Sequence, residues 1–562
     1  MFTKSILVFL NCCSLSVLAQ HYQGINTESL SIKVVLGLLI TAIPLLVLEF
    51  LLLVATYRAL WHPLAKYPGP WWAALTDWYS VYHIVKGDRH IDFYRLHEKY
   101  GNIVRFGPRR ISIRSATALK DIYSVNANVK RSQVYASTAH FFGGTPSSNT
   151  TPDMKEHAFR RRVNVRALSP ANIKGMEEQI LKNVRYFCET LVDGDGHDWS
   201  SPHDMSKLVG YLVSDIMGDI TFSKSFDVQR KPDNRDLLTS LPQAVAGIHL
   251  VGYMPEIVTF RLHKIFFQNL IAGIARFTSL SASTFQWRFA QENCNDVFSA
   301  LLQARDEKTG RGFSTDQLIS EAGLLTIAGS DTTVSATTAI FFYLSHYPSC
   351  RSRLEKEIRS TFASIEDIRI GTQLASCHYL LACIEETLRL SPPVGSTLMR
   401  EVLPGGLTVD GEWFPPGTDI AVPHYALHHD EQYYPDPFTF KPQRWLSKDS
   451  SETIDVGLDL ETPNDAQDKA SSSPESLAAS AFTAFGVGRT SCIGKYLAYQ
   501  EISLVVARTL WGFDMRLEPG STLGEGSKKL GTGRQRRKEF QTWDRFVSMH
   551  EGPVLQFKRR EF

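Results

Sequence analysis

Apolar residues cluster most densely at the N-terminus of the chain. Residues 34–57 form an apolar run of about the ~20 residues needed to cross a bilayer. Glu49 opposes insertion by about 3 kcal/mol, while sixteen Val, Leu, Ile and Phe residues each return about 0.3 to 0.6. The sum predicts a transmembrane anchor. A shorter run over residues 5–19 ends Val17-Leu18-Ala19, so residues 1–20 read either as a signal-like segment with a small-residue cleavage site or as a first membrane segment. Arg58 and Lys66 follow the main run and only Lys33 precedes it, which places the downstream chain on the cytosolic side. Both readings of the first run agree with that side, one as a single-pass and one as a two-span protein. Trp61-His62-Pro63 and Tyr67-Pro68-Gly69-Pro70 then make residues 58–70 a stiff proline hinge.

Beyond the hinge, helical periodicity dominates. An amphipathic helix is predicted near 89–100, and short strands at Ile103–Phe106 and Arg110–Arg114 flank Gly107-Pro108. Residues 204–300 are helical in pattern, and an apolar helix runs from about Thr315 to His346. Asp410-Gly411 marks a hairpin between Leu407–Val409 and Trp413-Phe414. The acidic, Ser-rich stretch 449–476 reads as a disordered surface insertion. The fold class is therefore mainly α with a minor β region behind an N-terminal anchor, residues 71–562 forming one catalytic domain.

Composition narrows the function. The 562 residues carry 43% hydrophobic content and a net charge of +2, which excludes the basic surface of a nucleic-acid binder. The eight cysteines show neither disulfide nor zinc spacing, so Cys188, Cys294, Cys350, Cys377 and Cys383 read as small core residues in a reducing compartment. The basic run Lys528 to Lys538 reads as an exposed loop.

One cysteine differs. Residues 482–494, Phe-Thr-Ala-Phe-Gly-Val-Gly-Arg-Thr-Ser-Cys-Ile-Gly, lead into an apolar helix through Leu497, Ile502, Val506 and Leu510. A thiol at a helix start is expected to have a depressed pKa and to be held as the thiolate that metals require. Gly486, Gly488 and Gly494 permit a loop flat enough to underlie a planar ring. The other reading of this stretch alone is a buried structural cysteine. Two further stretches bear on the choice. Glu386 and Arg389 lie three apart on one helix face, and Ala328-Gly329-Ser330-Asp331-Thr332-Thr333 sets poor helix formers inside an apolar helix. A glycine there loosens the helix, and a hydroxyl bonding back to the preceding turn opens a groove for a small ligand.

With Pro442-Gln443-Arg444-Trp445 between Glu386-x-x-Arg389 and Phe485-x-x-Gly488-x-x-x-Cys492, the chain resembles a cytochrome P450, a haem-thiolate monooxygenase, from about residue 65 onward. The resemblance implies haem b ligated through its iron by Cys492, with Phe485, Gly488 and Gly494 in the ligand loop. It implies His157, Arg161 and Arg400 as donors to the haem propionates, and Glu386, Arg389 and Arg444 as a buried structural network. Asp331 and Thr332 would relay protons to bound O2. NADPH-derived electrons would arrive through NADPH-cytochrome P450 reductase, since no Gly-rich nucleotide-binding segment occurs. The aromatic and glycine-rich stretch from Ser132 to Pro152 would cap a pocket for an apolar small-molecule substrate. The detailed likeness, including Arg400-Glu401-Val402-Leu403-Pro404-Gly405-Gly406, is to filamentous-fungal members such as the benzoate 4-monooxygenase type and enzymes tailoring terpenoids or polyketides. Residence in the endoplasmic reticulum membrane, in contact with its lipid, follows from the resemblance, and on the cytosolic side the sequon at Asn149 stays unused. Two departures stand out: Gln443 replaces a common Glu, and Thr490 stands where the family has Arg or His, the arginine being Arg489. Two rival classes share part of the pattern: a haem-thiolate isomerase or dehydratase using no O2, and a non-catalytic haem-binding membrane protein. Asp331 and Thr332 argue against the first, and turnover of any substrate excludes the second.

Overall fold

A computed structural model describes residues 32–136, 145–151, 153–235, 245–247, 249–292, 294–306, 309–446 and 474–561. The readings placed on residues 1–20, on Phe141 to Gly144 and on 449–473 lie outside these, whereas 474–476, read as the end of the disordered insertion, open the helix Pro474–Ala481. The chain divides into two units, Met1–Ala65 and Lys66–Phe562. In the first, helix α1 (Ile32–Thr56) carries Pro44 and continues as one π-helical turn over Tyr57–Trp61. Within it, Ala42–Trp61 has a mean hydropathy of 1.9 and buries none of its length against the protein, so it is long and apolar enough to cross a membrane.

In the second unit, caps fix where the helices begin. Asp153 accepts from the N–H groups of Lys155 and Glu156 to start α2 (Met154–Ala167), and Asp204 caps α4 (Met205–Phe222). A Ser314–Gln317 capping box opens α5 (Thr315–His346). Together with α3 (Glu177–Glu189), α6 (His378–Leu390) and α7 (Lys495–Gly512), these helices enclose the main apolar core. Cys188, Cys350, Cys377 and Cys383 are buried there, whereas Cys294 is half-buried.

Strands β1 (Ile103–Gly107), β2 (Arg110–Ile113), β3 (Val129–Arg131), β4 (Arg400–Val402) and β7 (Asp419–Ala421) form a five-stranded sheet in the order β1-β2-β7-β4-β3. Only β2 and β7 run parallel. The hairpin β5 (Leu407–Val409) and β6 (Glu412–Phe414) turns on Asp410 and Gly411, with φ of 50° and 78°, the double left-handed geometry of a type I′ turn.

The basic run near the C-terminus is not uniformly exposed, contrary to its sequence reading. Arg534 is buried and donates to Gly87 O, while Arg536 remains exposed, stacked 3.3 Å from the centroid of the Phe438 ring. Aromatic and carbonyl partners from distant segments hold these cations down.

Candidate functional site

The loop before α7 is shaped by three internal bonds. Gly486 N donates to Thr483 O at 2.9 Å, Ser491 N to Gly488 O at 3.0 Å, and Cys492 N to Phe485 O at 2.8 Å. Gly488 has φ +67°, and a Cβ there would stand 2.0 Å from Tyr123 O. Close approach of the Tyr123 backbone therefore fixes this glycine. Gly494, by contrast, has an ordinary φ of −85° as the N-cap of α7, and a Cβ there would meet Cys492 Sγ at a normal 3.8 Å. The Phe485 ring packs on Tyr499, with centroids 5.2 Å apart.

Cys492 is surrounded by protein, yet its side chain presents open surface. A residue can do both only by lining an interior space. The N–H groups of Gly494 and Lys495, with the Arg161 and Lys495 cations, draw its pKa down, but burial outweighs them and raises it. The expected depression is thus reversed. The helix begins three residues after the cysteine, at Lys495, and desolvation is the larger effect. A metal cation bound directly to sulfur would favour the thiolate against this burial.

Helix α5 exposes a stripe at helical spacing. Ala328 is exposed and Leu324, Ile327, Asp331 and Thr332 are half-buried, while most of the remaining helix is buried. Thr332 Oγ1 donates to Ala328 O at 2.7 Å, one turn back. Desolvation raises the Asp331 pKa to about 7. The helix runs unbroken, and the loosening expected at Gly329 is replaced by a packing role. A Cβ at Gly329 would lie 2.4 Å from Met217 Cε, so this glycine lets α4 close on α5.

Lys130, Arg131, His157, Arg400 and Arg489 line a neighbouring cavity with Tyr123, Asp153 and Thr490. His157 projects from α2 and Arg400 from β4, while Arg161, also on α2, lies outside that lining. Arg131, which the sequence reading did not single out, stands directly opposite Arg400 in the β3–β4 register. Nothing local marks Arg131, because its place depends on pairing with a distant strand. Arg131 binds Asn149 through its backbone and side-chain oxygens and lies 3.3 Å from His157 Nε2. Arg161 donates to Ser491 O at 2.8 Å and Ser491 Oγ at 3.0 Å, and Arg400 donates to Met399 O at 2.9 Å and to Thr490 Oγ1. Every one of these partners is neutral. Burial, aided by the neighbouring arginines, lowers Arg131 to about 9 and His157 to about 4. Arg489 also lines this cavity and donates to Val125 O.

Behind the loop, Glu386 is fully buried and accepts from Arg389 Nε and Nη2 at 2.9 Å, Arg444 Nε at 3.0 Å, Trp445 Nε1 at 2.9 Å and Lys441 N at 2.9 Å. These neighbours lower its pKa despite the cost of burial. Gln443 stays outside this set, its Nε2 3.4 Å from Tyr379 Oη. His428, also unmarked in the sequence, extends the network to the loop. Its Nδ1 lies 3.1 Å from Arg389 O, and its Nε2 accepts from Thr483 N at 3.0 Å.

These features fit haem b. Like charges directly opposite on paired strands are destabilising, so Arg131 and Arg400 facing each other call for an anion between them. The two propionates of a haem would supply it. The open face of Cys492 offers a soft ligand to iron.

The sequence profile of the family described as Cytochrome P450 matches residues 67–538. Among curated proteins, cytochrome P450 monooxygenase AKT7 of Alternaria alternata is 37% identical over 526 residues, covering 92% of this chain and 97% of the relative. Cytochrome P450 monooxygenase poxM of Penicillium oxalicum is 36% identical, covering 90% and 91%, and apf7 of Gibberella fujikuroi is 35% identical, covering 91% and 96%. The chain belongs to the cytochrome P450 family and is a haem-dependent monooxygenase that uses O2 and NADPH-derived electrons.

Proposed function

We propose that Cys492 ligates the haem iron, that the loop containing Phe485, Gly488 and Gly494 underlies the ring, and that Arg131, His157, Arg161 and Arg400 hold its carboxylates. Haem b bound in this way supplies activation of O2 and transfer of one oxygen atom to the substrate. The chain's own residues manage protons and position. Asp331, with its pKa raised to about 7, holds an exchangeable proton at neutral pH. Rotation of Thr332 away from Ala328 O frees its hydroxyl to pass that proton into the open space beside α5. Glu386, Arg389 and Arg444, with His428, keep the loop in place from behind.

The substrate is an apolar organic molecule, a reading supported by the apolar Leu324, Ile327 and Ala328 on the open stripe. Its pathway is fungal secondary metabolism of a terpenoid, polyketide or aromatic compound, supported by relatives from Alternaria, Penicillium and Gibberella. A redox partner is required, and NADPH-cytochrome P450 reductase fits a chain whose N-terminal helix can hold it in the endoplasmic reticulum membrane and its lipid, with the domain after the 58–70 hinge in the cytosol. Asn149 is engaged by Arg131, in keeping with an unglycosylated cytosolic sequon.

The open face of Cys492 carries this reading. Replacement Cys492→Ser is expected to abolish the red-shifted Soret band of the ferrous carbonyl complex, while Cys383→Ser keeps it. Persistence of that band in the Cys492 variant would sink the assignment.

A further inference from the structure

Glu321, on α5, is completely buried and belongs to none of the groups described so far. Its carboxylate collects donors from two other segments. Oε1 accepts from Ser148 N at 2.5 Å and from Arg160 Nη1 at 2.9 Å, and Oε2 accepts from Asn164 Nδ2 at 3.1 Å. Arg160 and Asn164 project from α2, whereas Ser148 belongs to the segment 145–151, which turns over 148–150. That segment has further holds on the same two helices. Ser320 Oγ donates to Thr145 O at 2.9 Å, Arg160 Nη1 also donates to Pro146 O, and Asn164 Nδ2 lies 3.3 Å from Ser148 Oγ.

The turn also closes on itself. Ser147 N donates to Thr150 Oγ1 at 2.8 Å, and Thr150 N and Thr151 N donate to Ser147 O at 3.0 and 2.9 Å. Asn149 stands inside that loop, and its backbone and side-chain oxygens both accept from Arg131 Nη1. Arg131 Nη2 lies 3.3 Å from His157 Nε2, while its buried Nε has no hydrogen-bond partner. The guanidinium is thus held through Nη1 by the turn, with donor capacity left over at the wall of the cavity.

We propose that Glu321 is a positioning residue for the ring carboxylates: it holds the 145–151 turn, and the turn, through Asn149, aims Arg131. The inference rests on the reading that Arg131 holds a haem carboxylate, and Glu321 acts only through Asn149 and that arginine. Without the Glu321 oxygens, Arg160 keeps a second acid, Glu156, 2.8 Å from its Nε. Ser148 N loses the one acceptor it has on α5, and a buried N–H without an acceptor is costly. The turn is therefore the part that lets go, and the Asn149 oxygens move with it.

The test is transfer of haem from the haem-loaded full chain to an excess of apomyoglobin, followed at the Soret band, with urea unfolding measured in parallel. Glu321→Leu, which removes both acceptor oxygens, and Asn149→Ala are each expected to release haem about tenfold faster than wild type, as the loss of one charge-assisted hydrogen bond implies. Arg131→Gln should release it at least as fast. Adding Glu321→Leu to Arg131→Gln should accelerate release no further, because the turn acts through that arginine. A merely structural Glu321 would instead speed release equally in both backgrounds, and that additivity overturns the inference, as does a wild-type rate in Glu321→Leu. If Glu321→Leu fails to fold, Arg160→Met/Glu321→Leu, which leaves neither charge of the pair unpartnered, goes through the same cycle; its failure to fold would make Glu321 a folding residue and overturn the inference. A wild-type release rate in Arg131→Gln would instead overturn the reading of Arg131 as a carboxylate donor, and the inference with it.

Discussion

Replacing Glu386 by Gln keeps the side-chain shape and removes one charge. In the wild type, Oε1 accepts from Arg389 Nη2, Arg444 Nε and Lys441 N, and Oε2 from Arg389 Nε and Trp445 Nε1. Whichever way the amide turns, its NH2 group confronts donors that have lost their acceptor. Arg389, whose side chain has no solvent exposure, also loses its counter-charge. Breaking one partner of a buried pair costs about 3–5 kcal/mol, against a total of about 5–15 kcal/mol for a folded domain. Arg444→Met removes one bond to Glu386 and one to the exposed Pro435 carbonyl from a side chain at 12% exposure and leaves the Glu386–Arg389 pair whole, so its cost should be well under half as large. Urea unfolding, followed in parallel by far-ultraviolet circular dichroism and by haem absorbance, reads both variants. Because Glu386 is depressed below its ordinary 4.5, its contribution is present above that value and fades as pH falls through the folded pKa. The difference between wild type and Glu386→Gln should therefore narrow on acidification. A Glu386→Gln protein within about 1 kcal/mol of wild type at neutral pH would refute the reasoning, since surface pairs contribute no more than that.

Thr332→Ala should keep the haem spectrum and NADPH consumption through the reductase yet release hydrogen peroxide in place of oxidised product. Unchanged coupling of NADPH to product would show that the hydroxyl serves only its bond to Ala328 O. Gly488→Ala forces a Cβ into a left-handed position 2.0 Å from Tyr123 O, and should lower haem retention and the thermal midpoint. Wild-type haem content in that variant would mean the Tyr123 segment gives way freely. Protease added to sealed microsomes should digest the domain after residue 65, whereas protection or a glycan at Asn149 would reverse the topology.

What could be read from the sequence was local. His157 with Arg161, and Glu386 with Arg389, are four and three apart, and helix geometry alone sets each pair on one face. Asp410-Gly411 likewise encodes its own turn. The caps Asp153, Asp204 and the Ser314–Gln317 box are local signals of the same kind, though the sequence reading did not single them out. What could not be read was the consequence of burial and of contacts between distant segments. The sequence shows glycines and an apolar helix around Cys492, from which a depressed pKa follows, but not the protein mass that raises it. Gly329 looks like a helix-loosening residue until Met217 is seen against it, and Arg534 looks solvated until Gly87 O is.

Arg131 makes the same point in reverse. Its position opposite Arg400 comes from strand register, which no spacing along the chain encodes, and two facing arginines with neutral partners are a liability in an isolated fold. A protein keeps such an arrangement where an anion normally occupies it. In the proposed binding mode, a dianionic ring would relieve the electrostatic cost carried by β3 and β4, with Cys492 as its iron ligand.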